Sequence, residues 1–123
     1  MAGAVTITEQ IYSGVNLITF SWTSDASGDA TGTTTSYYDG EVLAFATIPA
    51  TGSGESPSDN YDIVITDANG LDVLAGQGAN RDEATTEYVT NQANLGCVAN
   101  SQLSIAVSNS GNVTGGVAYL WIR

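Results

Sequence analysis

The spacing of apolar residues constrains this chain more than any other feature. They alternate with polar residues in short runs of about five to nine, each bounded by Gly, Asn, Asp or Ser. Successive side chains of a strand point to opposite faces, so a period of two predicts strands with one buried face. The runs contain Val5 and Ile7; Ile18, Phe20 and Trp22; Tyr61, Ile63 and Ile65; Leu71 to Leu74; Leu103, Ile105 and Val107; and Val117, Tyr119 and Trp121. Two more cover Thr33 to Tyr38 and Glu41 to Ile48; in the latter, Val42, Ala44, Ala46 and Ile48 fall on one face and Leu43 and Phe45 on the other.

Turn chemistry predicts how the runs connect. Asp39-Gly40 and Asn69-Gly70 suit the positive φ angles of tight hairpin turns, and Ser110-Gly111-Asn112 predicts a third hairpin between the last two runs. The pattern fades between Gly76 and Ser101, which reads as a loop region, with Asp82 to Val89 suiting either a short helix or an extended arm. About eight strands without a long helix predict one all-β domain over residues 1–123, an antiparallel β-sandwich or jelly roll.

Charge narrows the partners. Thirteen carboxylates face two arginines, Arg81 and Arg123, with no Lys or His, for a net charge of -11. Nucleic-acid binding relies on basic side chains that neutralise phosphates, and two arginines make no basic patch. An anionic membrane surface would repel the chain, and no apolar run reaches the length of a membrane-spanning helix. The carboxylates end at Glu87, and the following residues are uncharged as far as Arg123. This neutral segment suits core strands, or a subunit interface where self-repulsion would be costly.

The residues offer little catalytic chemistry. Without His, a nucleophilic Ser, Thr or Cys lacks its usual base, and Cys97 has no neighbouring cation, so it reads as a buried structural thiol. One cysteine permits no intrachain disulfide, and the first residues lack the basic and apolar stretches of a secretory signal, so synthesis in a reducing cytosol is expected. Asn112-Val113-Thr114 accordingly reads as a turn rather than a glycosylation site. Zinc is poorly served. Calcium has weak candidates in Asp67-Ala68-Asn69-Gly70-Leu71-Asp72 and in Asp25 with Asp29, all explained as well by turns. The expectation is a non-enzyme without a cofactor.

Phe20, Trp22, Tyr61, Tyr119 and Trp121 occupy alternating strand positions and read as core. Tyr37 and Tyr38 point to opposite faces, so at least one is expected at the surface and open to a partner. Arg81 suits either a local ion pair with Asp82 or Glu83 or a subunit contact. Tyr37, Tyr38, Arg81 and Tyr88 are therefore the candidate interface residues.

Several stretches resemble small virion proteins of tailed bacteriophages. They are Phe20-Ser21-Trp22-Thr23-Ser24-Asp25-Ala26-Ser27-Gly28, Thr31-Gly32-Thr33-Thr34-Thr35, Gly40-Glu41-Val42, Asn60-Tyr61-Asp62, Asp72-Val73-Leu74-Ala75-Gly76 and the ending Tyr119-Leu120-Trp121-Ile122-Arg123. The resemblance spans nearly the whole chain, through motifs that are mostly turns and strand ends. It implies a structural role, most simply a decoration or cement protein on the outer capsid that binds the major capsid protein as a homo-oligomer, with a trimer favoured. Head-to-tail and tail components are alternatives in the same class. From the residues themselves, a carbohydrate- or host-surface-binding β-sandwich is an alternative of another class, and a carboxylate-based hydrolase a third.

Overall fold

The computed structural model describes residues 3–11, 14–52, 55–90, 92 and 95–123. Among these residues nine strands run in chain order: β1 (Ala4–Ile11), β2 (Asn16–Thr23), β3 (Ala30–Thr33), β4 (Tyr38–Pro49), β5 (Asp62–Thr66), β6 (Glu87–Thr90), β7 (Cys97–Ser101), β8 (Ser104–Ser108) and β9 (Gly115–Ile122). They form two antiparallel sheets packed as a β-sandwich. The larger has the order β1-β2-β9-β4-β6, with β7 paired to the first part of β4; the smaller has the order β3-β8-β5.

The alternation read from the sequence assigns much of the core. Ile18, Phe20 and Trp22 from β2 meet Ile63 and Ile65 from β5 and Ile105 and Val107 from β8, all buried. The Trp22 and Tyr61 rings lie 5.5 Å apart. β9, from the uncharged C-terminal segment, sits centrally between β2 and β4 and sends Ala118, Leu120 and Ile122 into the core.

Several expected connections differ. Asp39-Gly40 is no hairpin turn: both residues lie within β4, where Tyr38 pairs with Ser101 and Gly40 with Val98 across a register shift. Gly40 has φ 133°, and a Cβ there would collide with the Arg123 carbonyl, so glycine serves a bulge and a close backbone approach instead of a turn. Nor do the last two runs form a hairpin, because β8 and β9 belong to different sheets. The Ser110 to Thr114 segment carries the chain across the sandwich. The Asn69-Gly70 turn does form, closed by hydrogen bonds from the Gly70 amide to the Asp67 carbonyl and from the Asp67 amide to the Leu71 carbonyl. Its second arm is a single bridge from Thr66 to Asp72 rather than a strand. The stretch read as a loop between Gly76 and Ser101 contains β6 and β7, each only four or five residues long. Such short strands are held by pairing with β4 and leave a weak periodic signal.

The crossing between sheets is held by buried hydroxyls. Ser24 Oγ donates to the Gly111 carbonyl at 2.9 Å and accepts from the Thr114 amide, while Thr114 Oγ1 donates to the Ser110 carbonyl at 2.7 Å. Ser110 Oγ donates to the Gly28 carbonyl at 3.0 Å, tying this segment to the loop after β2. Ser24 and Ser110 are fully buried, so removing a hydroxyl strands its partner away from water. Ser110→Ala is expected to cost about 1–3 kcal/mol in urea unfolding with an unchanged m value, whereas Ser108→Ala, half-buried in β8, should stay within about 0.5 kcal/mol.

Candidate functional site

The register of the larger sheet defines its outer face. Residues paired across strands share a face, so the rows read Gln10, Leu17, Trp121, Ala44, Thr90; then Thr8, Thr19, Tyr119, Ala46, Tyr88; then Thr6, Ser21, Val117, Ile48. No residue in these three rows is ionisable at neutral pH. At one end lie Glu41 and Arg123, one charge of each sign, joined by reciprocal backbone hydrogen bonds of 3.0 Å. The carboxylates are otherwise in loops, on the inner side of β1 and β6, on the smaller sheet for Asp62, or, for Asp39, in the first part of β4 beside the bulge, where it accepts from the Asn100 amide.

A bulge creates this arrangement. Val42 pairs with Ile122, but Ala44 pairs with Trp121, so Leu43 is an extra residue on β4. Val42 and Phe45 consequently both reach the core, while Ala44, Ala46 and Ile48 face outward. The expected single face of Val42, Ala44, Ala46 and Ile48 is therefore broken after its first member. Tyr119 and Trp121 are also corrected: they stand on the outer face, because Ala118, Leu120 and Ile122 occupy the inner positions of β9.

Three rings gather on the outer face. Those of Tyr119 and Trp121 lie side by side, 5.9 Å apart and 28° from parallel, and Tyr88 meets Trp121 edge-on at 5.8 Å. Tyr88 on β6 and Trp121 on β9 thus close over β4, which accounts for the burial of Ala44 and Ala46 despite their outward direction. Tyr88 remains 63% exposed. The β1 and β2 half of the same face carries only shorter side chains: Thr6, Thr8, Gln10, Leu17, Thr19 and Ser21.

A pocket of about 440 Å³ opens at one end of the face, lined by Ser21, Thr23, Ile48, Glu55, Gly116 and Trp22 among others. Gly116 allows the Trp22 indole to pack directly on the backbone, since a Cβ would stand 2.9 Å from its Cζ2. Among the described residues, Glu55 is the only ionisable one in the lining.

The expected interface residues are dispersed. Tyr37 is exposed and Tyr88 belongs to the ring cluster, but Tyr38 and Arg81 lie inside the monomer, 2% and 8% exposed. Tyr38 Oη donates to Glu9 Oε1 at 2.7 Å. Arg81 Nε stands 3.7 Å from Glu87 Oε1, so its ion pair is with Glu87 instead of Asp82 or Glu83. Among the described residues, its Nη1, like the hydroxyls of Tyr61 and Thr47, has no hydrogen-bond partner. Tyr119 and Trp121 complete the surface cluster that the sequence reading missed. Their register with β4 and β2 was the missing signal.

The remaining candidates resolve into local structure. Asp67 Oδ1 accepts from the Asn69 and Leu71 amides, and Asp25 Oδ1 from the Ser27 and Asp29 amides, so both carboxylates cap turns. Among the described residues, no three His, Cys, Asp or Glu side chains come together as a metal site. Cys97 is exposed, contrary to the buried thiol expected, because Val98 takes the inward position of β7.

Glu9 anchors the loop that presents Tyr37. Burial acts to raise its carboxyl, but the hydroxyls of Thr35 and Tyr38 and the amides of Ser36 and Thr35 donate to it and hold it below the ordinary carboxylate range. Burial and the same carboxylate push the Tyr38 phenol far upward. The stabilisation from ionised Glu9 is present above its unfolded-state value and is lost as pH falls through the lowered folded value. Glu9→Gln should lower the melting temperature at pH 7 by roughly 2–6 °C, and the gap from the wild type should close on acidification. A gap that persists or widens in acid would contradict this role.

No family model matches the chain, and no curated protein matches it. A similar solved structure is the KRT10-binding region domain of the pneumococcal serine-rich repeat protein PsrP, at 17% identity over 89% of this chain and 79% of that one. Its TM-score is 0.28, too low to bear on fold or function.

Proposed function

We propose that this chain is a non-catalytic assembly module, a structural protein of a tailed-bacteriophage virion that decorates the outer capsid and stabilises the shell by linking neighbouring subunits. One observation carries the protein-contact part of this reading: three successive uncharged rows across the larger sheet, up to five strands wide, bearing the exposed Tyr88 ring beside the half-buried rings of Tyr119 and Trp121, on a chain of net charge -11. Charged residues are depleted and aromatic ones enriched at the centres of protein interfaces, because desolvating an unpaired charge is costly and a ring buries large area with little entropy loss. The virion setting rests on the resemblance of the turn and strand-end motifs. An acidic surface supports an outside location, since packaged DNA would repel it.

Particles assembled with and without the protein provide the test. Those carrying it should survive heating and low salt longer, and Tyr88→Glu should abolish that protection. Equal survival, with no copies retained on the shell, would reject the reading. A second reading, binding of a neutral glycan, is favoured by the adjacent Tyr119 and Trp121 rings beside the hydroxyls of Thr19 and Ser21. Fluorescence titration with cellohexaose and chitohexaose should show saturable binding, lost in Trp121→Ala, if that reading holds.

A further inference from the structure

The uncharged face has an internal asymmetry that says what meets it. Its β9, β4 and β6 side is raised by the rings of Tyr119, Trp121 and Tyr88. Its β1 and β2 side is a low shelf of short side chains, chiefly Thr6, Thr8, Thr19 and Ser21. A surface with a ridge at one side and a shelf at the other can complement itself through a two-fold rotation, as an isologous interface requires.

Charge separates a copy of this chain from a foreign partner. An unrelated protein is free to be basic, and long-range attraction would draw it to the carboxylates in the loops. A second copy carries the same net charge of -11, so two copies can approach closely only where neither brings a carboxylate. The outer face of the smaller sheet is less suitable, as it is only three strands wide and carries no aromatic ring. Size is also adequate. Eight residues each of β1, β2, β9 and β4 and the four of β6, in strands about 4.8 Å apart that rise about 3.3 Å per residue, give a plane of roughly 600 Å² before side-chain relief, near the roughly 800 Å² per partner of stable interfaces.

We propose that the outer face of the larger sheet binds a second copy of this chain, in a two-fold pair that seats the Tyr88 ring of each copy on the β1 shelf of the other. This rests on the assembly reading above and names the partner of that face. The axis runs along β9: Tyr88 of one copy lies over Thr8 of the other, and Tyr119 and Trp121 meet their own counterparts. Paired in this way, the two copies keep their loops free and present two equivalent sets of them, each able to touch a different capsid subunit, which multiplies weak contacts.

Sedimentation equilibrium of the full chain tests the pairing. The mass should rise from 12.6 kDa to twice that value with concentration. The dissociation constant should fall roughly tenfold between 50 and 500 mM NaCl, as salt screens the repulsion between the two acidic bodies. Thr8→Glu and Tyr88→Lys should each weaken the pair roughly tenfold or more, with circular dichroism spectra and melting temperatures confirming that each folds. Mixing the two variants should restore it, because the new carboxylate then meets the new ammonium across the interface.

A monomer at every concentration overturns the pairing. So does a trimer, or a dimer indifferent to both substitutions. If the monomer still protects particles and Tyr88→Glu removes that protection, the face belongs to the capsid protein and only the pairing fails. If the monomer instead binds cellohexaose or chitohexaose through Trp121, the occupant is a glycan and the assembly reading fails with it.

Discussion

The pairing of β4 with β9 is the constraint on which the rest of this molecule depends. One extra residue, Leu43, lets Val42 pair with Ile122 and Phe45 with Leu120, so these two large apolar side chains both face the core. A one-residue shift in a strand reverses the direction of every side chain beyond it. The bulge thus fixes the inside of the sandwich, and in the same stroke it turns Ala44 and Ala46 outward beneath the rings of Trp121, Tyr119 and Tyr88.

Charge placement follows from the same geometry. A central strand contributes to both a core and a broad sheet face, so β9 is the worst place in the fold for a carboxylate if that face is to meet another surface. The choice between core strand and interface for the neutral C-terminal segment is thereby dissolved: alternate residues of β9 serve the core and the outer face. The acids occupy loops and edges, where several act locally. Glu9 gathers the amides and hydroxyls of residues 35 to 38, while Asp25, Asp67 and Asp72 cap turns. Water solvates most of what is left of their charge.

The all-β class and the core triplets were legible because their alternation is unambiguous: Ile18, Phe20 and Trp22 are separated by polar or small residues, as are Leu103, Ile105 and Val107. β9 was not legible in the same way. Both of its faces are apolar, Ala118, Leu120 and Ile122 on one and Val117, Tyr119 and Trp121 on the other, and size alone favoured the aromatic set for the interior. Only the register with β2 and β4 decides it. Asp39-Gly40 misled for a related reason, since a glycine with positive φ serves a bulge as well as a hairpin. The candidate site was half legible: Tyr37 and Tyr88 are at the surface, but Tyr38 and Arg81 are drawn inward by Glu9 and Glu87, partners distant in sequence or hidden in a weakly periodic segment. The capsid setting is not written in the geometry, and it stands on the resemblance of the motifs.

The central claim is that the β4 bulge leaves Trp121 on an open face while Trp22 is sealed in the core. Acrylamide quenching of tryptophan fluorescence at submicromolar concentration tests it most directly. Two components are expected, one readily quenched and one protected, and Trp121→Phe should remove the quenched one alone. A single protected component, or a quenched component that survives Trp121→Phe, would contradict the account.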